Sequence, residues 1–273
     1  MKQYQSRAEL KDRAKGLLTG RYGTSVLIHL TPFMILYAIT FMFTMVLTTI
    51  TMISSLSSGA LSAADTANQL SSVPSNAFSV PAYILSFVVA VFYGVFGLGM
   101  ALYYLNIACG RRGTLADLFT GFRKDIKRVL SISLLLALVS WICQIPYDIT
   151  NWIASARGDI RLLILSYGLL LIGQLAAMVI LLYFSQCWYL MLDFPQYNAV
   201  EIIKLSIRIM RGHKMRLFLL ELSFLPLEFA GILSFGIGLL WVMPYVHMTS
   251  ALFFLDLMNP KTAESSDMED FMN

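Results

Sequence analysis

Charge is what this sequence has least of. Only 13% of its 273 residues are Asp, Glu, Lys or Arg, whereas 58% are hydrophobic and the mean hydropathy is +0.70. A typical soluble domain has about a quarter of its residues charged, so this balance excludes one. Histidine is scarcer still. His29, His213 and His247 are all there are, with no HExxH or similar spacing, and neither a metal nor another cofactor is expected. The three cysteines, Cys109, Cys143 and Cys187, sit in or beside apolar segments without ligand spacing and read as small packing residues. A P-loop, a GxSxG elbow and a dinucleotide fingerprint are all missing, so nothing specific points to an enzyme.

What is present in abundance is uninterrupted apolar chain. Residues 22–64, 66–110, 129–147 and 162–192 contain no Asp, Glu, Lys or Arg. About 20 apolar residues cross a hydrocarbon core as a helix, so each gap holds a span. The pattern predicts an all-α polytopic membrane protein with six transmembrane helices in one domain, residues 1–258. The spans run from about Thr24 to Ser54, Pro81 to Cys109, Val129 to Ala154, Leu162 to Leu192 and Leu217 to Ser234, with a sixth after Gly236-Ile237-Gly238 ending near Met258. Residues 259–273 are acidic and read as a disordered tail. The first apolar run leads to Ser62-Ala63-Ala64 but is too long for a signal peptide, so it is expected to stay as an uncleaved span.

Of the 20 basic residues, 17 fall in three short stretches: six in 1–22, six in 111–128 and five in 193–216. The positive-inside bias places all three in the cytoplasm, with both chain ends inside. External loops then fall near 55–80, 153–161 and 235–238. Each stretch also has helical periodicity with an apolar face, predicting three amphipathic in-plane helices at about 6–20, 114–128 and 199–214. Their basic residues, Arg7, Lys11, Lys15, Arg123, Lys124, Lys127, Lys204, Arg208 and Arg211, are candidates for contact with anionic inner-leaflet lipids. Nucleic acid is not an expected partner, because these charges sit on helices pinned to a membrane. The bilayer itself is the expected partner, with a membrane-protein partner or a homo-oligomer as further options.

Several residues stand out inside the apolar chain. Glu221 and Glu228 lie seven apart on one face of the fifth span with Pro226 between them. A charged side chain at mid-bilayer costs about 2.5–3.5 kcal/mol on insertion scales, so such residues face a bundle interior, a partner or water. Candidate partners are His247, Lys214 and His213, or the two carboxylates through a shared proton. Glu221, Glu228 and His247 form the candidate intramembrane polar site. The bland alternative places Glu221 at the interface and Glu228 hydrogen-bonded. Gly94, Gly97 and Gly99 offer a face for close helix packing. His29 and Gln174 read as hydrogen-bonded packing residues, Asp148 as an interfacial carboxylate, and Tyr183, Phe184, Trp188 and Tyr189 as an interfacial aromatic belt.

A recurring set of residues then gives a resemblance. Asp193-x-Pro195, Ala199, Ser206, Met210-x-Gly212-x-Lys214, Leu217-Phe218, Leu222-Ser223-Phe224, Gly236-x-Gly238, Leu240-Trp241 and Pro244-Tyr245 resemble an uncharacterised family of bacterial integral membrane proteins, domain of unknown function 975. Tyr103-Tyr104-Leu105 and Asp117-Leu118-Phe119-x-Gly121-Phe122 match as well. The chain departs from that pattern at Pro146-Tyr147 and at Leu225-Pro226-Leu227-Glu228. The resemblance implies a multi-span membrane protein and no activity. The expected role is therefore a non-enzymatic envelope protein, in an accessory, immunity or lipid-handling capacity, with a small transporter or permease as the alternative.

Overall fold

Helices account for nearly all of the computed structural model, which describes residues 2–57, 75–123, 125–259 and 261–262. Lys124, most of the expected loop 55–80 and the acidic tail beyond 262 lie outside them. The helices are α1 (Arg7–Leu18), α2 (Tyr22–Ser57), α3 (Ser75–Ala108), a 3-10 turn (Leu115–Phe119) running into α4 (Thr120–Arg123), α5 (Ile126–Arg157), α6 (Ile160–Leu181), α7 (Cys187–Asp193), α8 (Ala199–Met210), α9 (Lys214–Leu222), α10 (Leu225–Leu233) and α11 (Leu239–Met258). A two-residue antiparallel pairing of Lys2–Gln3 with Lys261–Thr262 is the other regular feature among the described residues. Five helices are long and apolar enough to cross a membrane: Tyr22–Ile50, Tyr83–Ala108, Ile126–Arg157, Ile160–Leu181 and Leu239–Met258.

The core lies at the end of the bundle that carries the basic segments. Leu10, Ala14 and Leu18 of α1 are fully buried, as are Tyr103 and Tyr104 of α3 and Phe253 and Phe254 of α11. Away from that end the helices turn large apolar side chains outward, including Phe33, Ile142 and Leu171 at 61%, 63% and 67% exposure. A solvent of hydrocarbon, with all backbone groups satisfied within helices, is the setting such a surface fits. Close approach depends on glycine. A Cβ at Gly94 would lie 2.6 Å from Ser133 Oγ on α5, and one at Gly99 would lie 2.1 Å from the Leu118 carbonyl oxygen. The small-residue face read from the sequence thus seats α3 against α5 and the 3-10 turn.

Three expected elements differ. The fifth span is broken: α9 and α10 are nine residues each, separated at Ser223 and Phe224. Pro226, in the first turn of α10, has no N–H to return to the Leu222 carbonyl, so an unbroken helix would leave that group unpaired. The fourth span ends at Leu181 instead of Leu192, because residues 182–186 turn before α7. That turn exposes the Tyr183 carbonyl, which accepts from Ser206 Oγ of α8 at 2.7 Å.

The second basic segment is not one in-plane helix. Asp125 adopts a left-handed conformation (φ 46°) between α4 and α5, so Lys127 and Arg128 belong to the first turn of a long helix. The preceding 3-10 turn is held by Asp117, whose carboxylate accepts from the Thr114 N–H at 2.9 Å and from Asn106 Nδ2 at 3.3 Å.

A candidate cavity and the clasp beneath it

A cavity of about 1040 Å³ lies between α2, α3, α5, α6, α9 and α11. That is the upper end of the usual size for small-molecule pockets, about 300–1,000 Å³. Most of its lining is apolar or aromatic, with Phe33, Tyr37, Tyr93, Trp141, Trp188 and Met178 among the larger groups. Phe33 and Tyr37 are stacked one helical turn apart, with ring centroids at 6.1 Å. Ser133, Ser140, Gln174, Ser185, Gln186, Glu221 and His247 supply polar groups. Among the described residues no Lys or Arg lines it, and Glu221 is the one carboxylate that does. Among the described residues no hydrogen bond or ion pair reaches the Glu221 side chain.

Two of the polar groups are buried without partners among the described residues. Ser133 and Gln186 are each 1% exposed, and neither Ser133 Oγ nor Gln186 Oε1 is hydrogen-bonded. Gln186 spends its Nε2 on Ser185 Oγ at 2.9 Å, so its carbonyl is left over. A buried polar group with no partner costs about 1–3 kcal/mol, which makes both positions anomalous for a purely structural packing.

The expected polar site is only partly assembled. Glu221 and His247 line the same cavity, whereas Glu228 sits in the first turn of α10 and does not. There its charge faces the N-terminal end of a helix, which favours an anion. Among the described residues no hydrogen bond or ion pair joins either acid to His247 or Lys214, while Glu228 lies near enough to Glu221 to repel it. Lys214 Nζ donates to Tyr183 Oη at 2.7 Å, and His213 meets Tyr4 edge-on with ring centroids at 4.8 Å. His247 packs against His29 at 4.7 Å and stacks on Tyr104 at 5.8 Å, while His29 Nε2 and Tyr104 Oη are 2.8 Å apart. His29 therefore has the hydrogen bond expected of it, as does Gln174, whose Nε2 donates to Gln144 Oε1 at 3.3 Å. Asp148 is half-buried and accepts from Tyr83 Oη at 3.2 Å.

The aromatic group at 183–189 faces inward and forms no exposed belt. Phe184 and Trp188 line the cavity, and Tyr189, 5% exposed, stacks on Phe254. A Cβ at Gly97 would lie 3.2 Å from Trp188 Nε1, so α3 leaves room for the indole only by having no side chain there.

Below the cavity the N-terminal segment clasps α9 and α11. Arg216 of α9 is ion-paired with Asp256 of α11, and its Nη2 also donates to the Gln5 carbonyl at 2.7 Å. Asp256 Oδ1 accepts from the Gln5 N–H at 3.0 Å. The guanidinium lies over the rings of Tyr4 and Phe253, each 5.0 Å from the centroid. Lys11 reaches from α1 to the helix break, donating to the Ser223 carbonyl at 3.0 Å with its ammonium 4.1 Å from the Phe224 centroid. Burial, with Lys15 and Arg7 nearby, lowers the pKa of Lys11. Lys11 was expected to contact lipid; instead it closes an open carbonyl.

The remaining basic candidates are exposed. Arg7, Lys15, Arg123, Lys127, Lys204, Arg208 and Arg211 are all exposed, although the Lys15 ammonium lies 5.8 Å from the Tyr245 ring centroid. On α8, capped reciprocally by Asn198 and Glu201, the opposite face of Ile202, Ser206 and Met210 is fully buried. Sequence reasoning overlooked Arg216, Asp256, Ser133 and Gln186. A weak signal existed for Asp256, a lone acid near the end of an apolar run, and none for Ser133 or Gln186.

Five membrane-length helices among the described residues define a multi-pass helical membrane protein. Within that class, residues 1–261 match the family described as protein of unknown function (DUF975), and the chain belongs to it. No curated protein and no solved structure matches the chain.

Proposed function

We propose that this protein is a non-catalytic binder of amphipathic molecules in the bacterial cytoplasmic membrane, serving lipid handling or a related accessory or immunity role at the cell envelope. The cavity carries this reading. A space of about 1040 Å³, largely apolar yet furnished with a few polar groups, fits a molecule with a hydrocarbon part and a small head. The chain crosses six times with both ends inside, α9 and α10 together making the fifth crossing. Their combined run from residue 214 to 233 would span about 30 Å if placed end to end, the thickness of a hydrocarbon core. The exposed basic faces then meet the anionic inner leaflet, where each charge gains about 1 kcal/mol.

The test is native mass spectrometry and lipid analysis of protein extracted in mild detergent. Co-purifying amphiphile should be present in the native chain and lost when the cavity is filled by Ala90→Trp with Ser140→Trp. Identical bound material in the filled variant would sink the proposal.

One observation favours a second reading, a small transporter. Discontinuous helices bracket the substrate sites of many transporters, and the break between α9 and α10 follows Glu221 by two residues. Substrate flux in proteoliposomes that vanishes in Glu221→Gln would favour it.

A further inference from the structure

The geometry points to an amine-headed amphiphile without a phosphate as the occupant of the cavity, its ammonium held by Glu221 and its chain lying among the aromatic and aliphatic walls. This rests on the reading of the cavity as a binding site and names the chemistry of its ligand.

The argument is one of charge and of donors against acceptors. Glu221 is the one acid among the described lining residues, no hydrogen bond or ion pair among the described residues reaches it, and Glu228 nearby adds a second acid for a cation to offset. Gln186 Oε1 is a second acceptor without a donor, 1% exposed at the residue level, and Ser133 Oγ can accept as well. A free carboxylate and an orphaned amide oxygen both call for N–H groups, and an ammonium carries three of them on one positive charge. A carboxylate or phosphate head would bring a further acid beside Glu221 with no Lys or Arg among the described wall residues to offset it. An alcohol would satisfy one acceptor and leave the charge uncompensated. His247 does not supply the missing cation, because among the described residues no hydrogen bond or ion pair joins its ring to Glu221. Trp141 and Trp188, which line the same space, place aromatic faces where an alkyl chain or a cation can pack.

The experiment uses full-length protein in nanodiscs of zwitterionic lipid and follows the fluorescence of the wall tryptophans. The probes are dodecylamine, dodecanol, dodecanoate and lysophosphatidylethanolamine. Dodecylamine should bind about ten- to a hundredfold more tightly than dodecanol, the range for a charge-assisted hydrogen bond in a desolvated site. Dodecanoate and lysophosphatidylethanolamine should bind no better than dodecanol. Glu221→Gln should remove the amine preference, and an unchanged thermal unfolding transition in the absence of probe reports that the variant is still folded.

Equal binding of all four probes in the native protein would overturn the amine assignment and leave the cavity reading standing. Tighter binding of dodecanoate or lysophosphatidylethanolamine than of dodecylamine would also overturn it. If no probe binds, both readings fall.

Discussion

Arg216 on α9 is ion-paired with Asp256 on α11, and both touch the backbone of Gln5, so one guanidinium and one carboxylate tie three separate parts of the chain together. Asp256 is 7% exposed, which places its charge beyond easy solvation by water. Removing one partner strands the other. Asp256→Asn or Arg216→Ala should each lower stability by about 3 kcal/mol, while Arg216→Met with Asp256→Leu should cost much less. Reversible unfolding in mixed micelles measures this; single and double variants of equal stability would refute the clasp.

Lys11 closes the carbonyl exposed where α9 stops. Lys11→Met should destabilise by about 1 kcal/mol, from a lost hydrogen bond and a lost cation over the Phe224 ring. Hydrogen exchange should quicken at residues 223–228 and stay unchanged in α6. Arg7→Met, on the exposed side of α1, should do neither.

Gly99 lets α3 press against the backbone of Leu118. Gly99→Ala should cost about 1–3 kcal/mol, because the new methyl meets a carbonyl oxygen that cannot rotate away. Gly168, with open space around its Cα, is the control: Gly168→Ala should be neutral or slightly stabilising. Thermal unfolding of the two variants side by side decides the point.

The six-crossing arrangement predicts which side of the membrane the α10–α11 turn faces. Phe235 is 98% exposed there. In a Cys109→Ser background, Phe235→Cys should react with an impermeant maleimide on intact cells, and Lys204→Cys only after permeabilisation. The reverse pattern would mean that α9 and α10 do not cross.

The basic face of α8 should select anionic lipid. Replacing Lys204, Arg208 and Arg211 together by Gln should reduce retention of anionic over zwitterionic lipid in mass spectra, by about 1 kcal/mol per residue removed. The loss should shrink at high salt. Unchanged retention would remove the inner-leaflet role.

How much of this could be read in the sequence follows from what each feature depends on. The long helices α2, α3 and α5 were legible because a charge-free run of sufficient length settles them by composition. The breaks at 182–186 and 223–224 were not, since both turns are built of residues as apolar as the helices they interrupt. Their carbonyls are satisfied from distant segments, Ser206 for Tyr183 and Lys11 for Ser223, and hydropathy carries no trace of those partners. Glu221 and His247 stood out by rarity. Ser133 and Gln186 became conspicuous only once burial without a partner was visible. The basic stretches were recognisable as such, but periodicity alone did not separate α1 and α8 from the segment at 115–128, which Asp125 divides.

The clasp also has a consequence for biosynthesis. Helix α1 leaves the ribosome well before α11, yet α11 is part of the surface that buries Leu10, Ala14 and Leu18. Until α11 is made, α1 therefore has its apolar face uncovered beside the membrane, and Tyr4 and Gln5 have no Asp256 to meet. Insertion of α11 is the event that lets the first part of the chain dock, so truncations that stop before Leu239 should leave an α1 that stays open to protease.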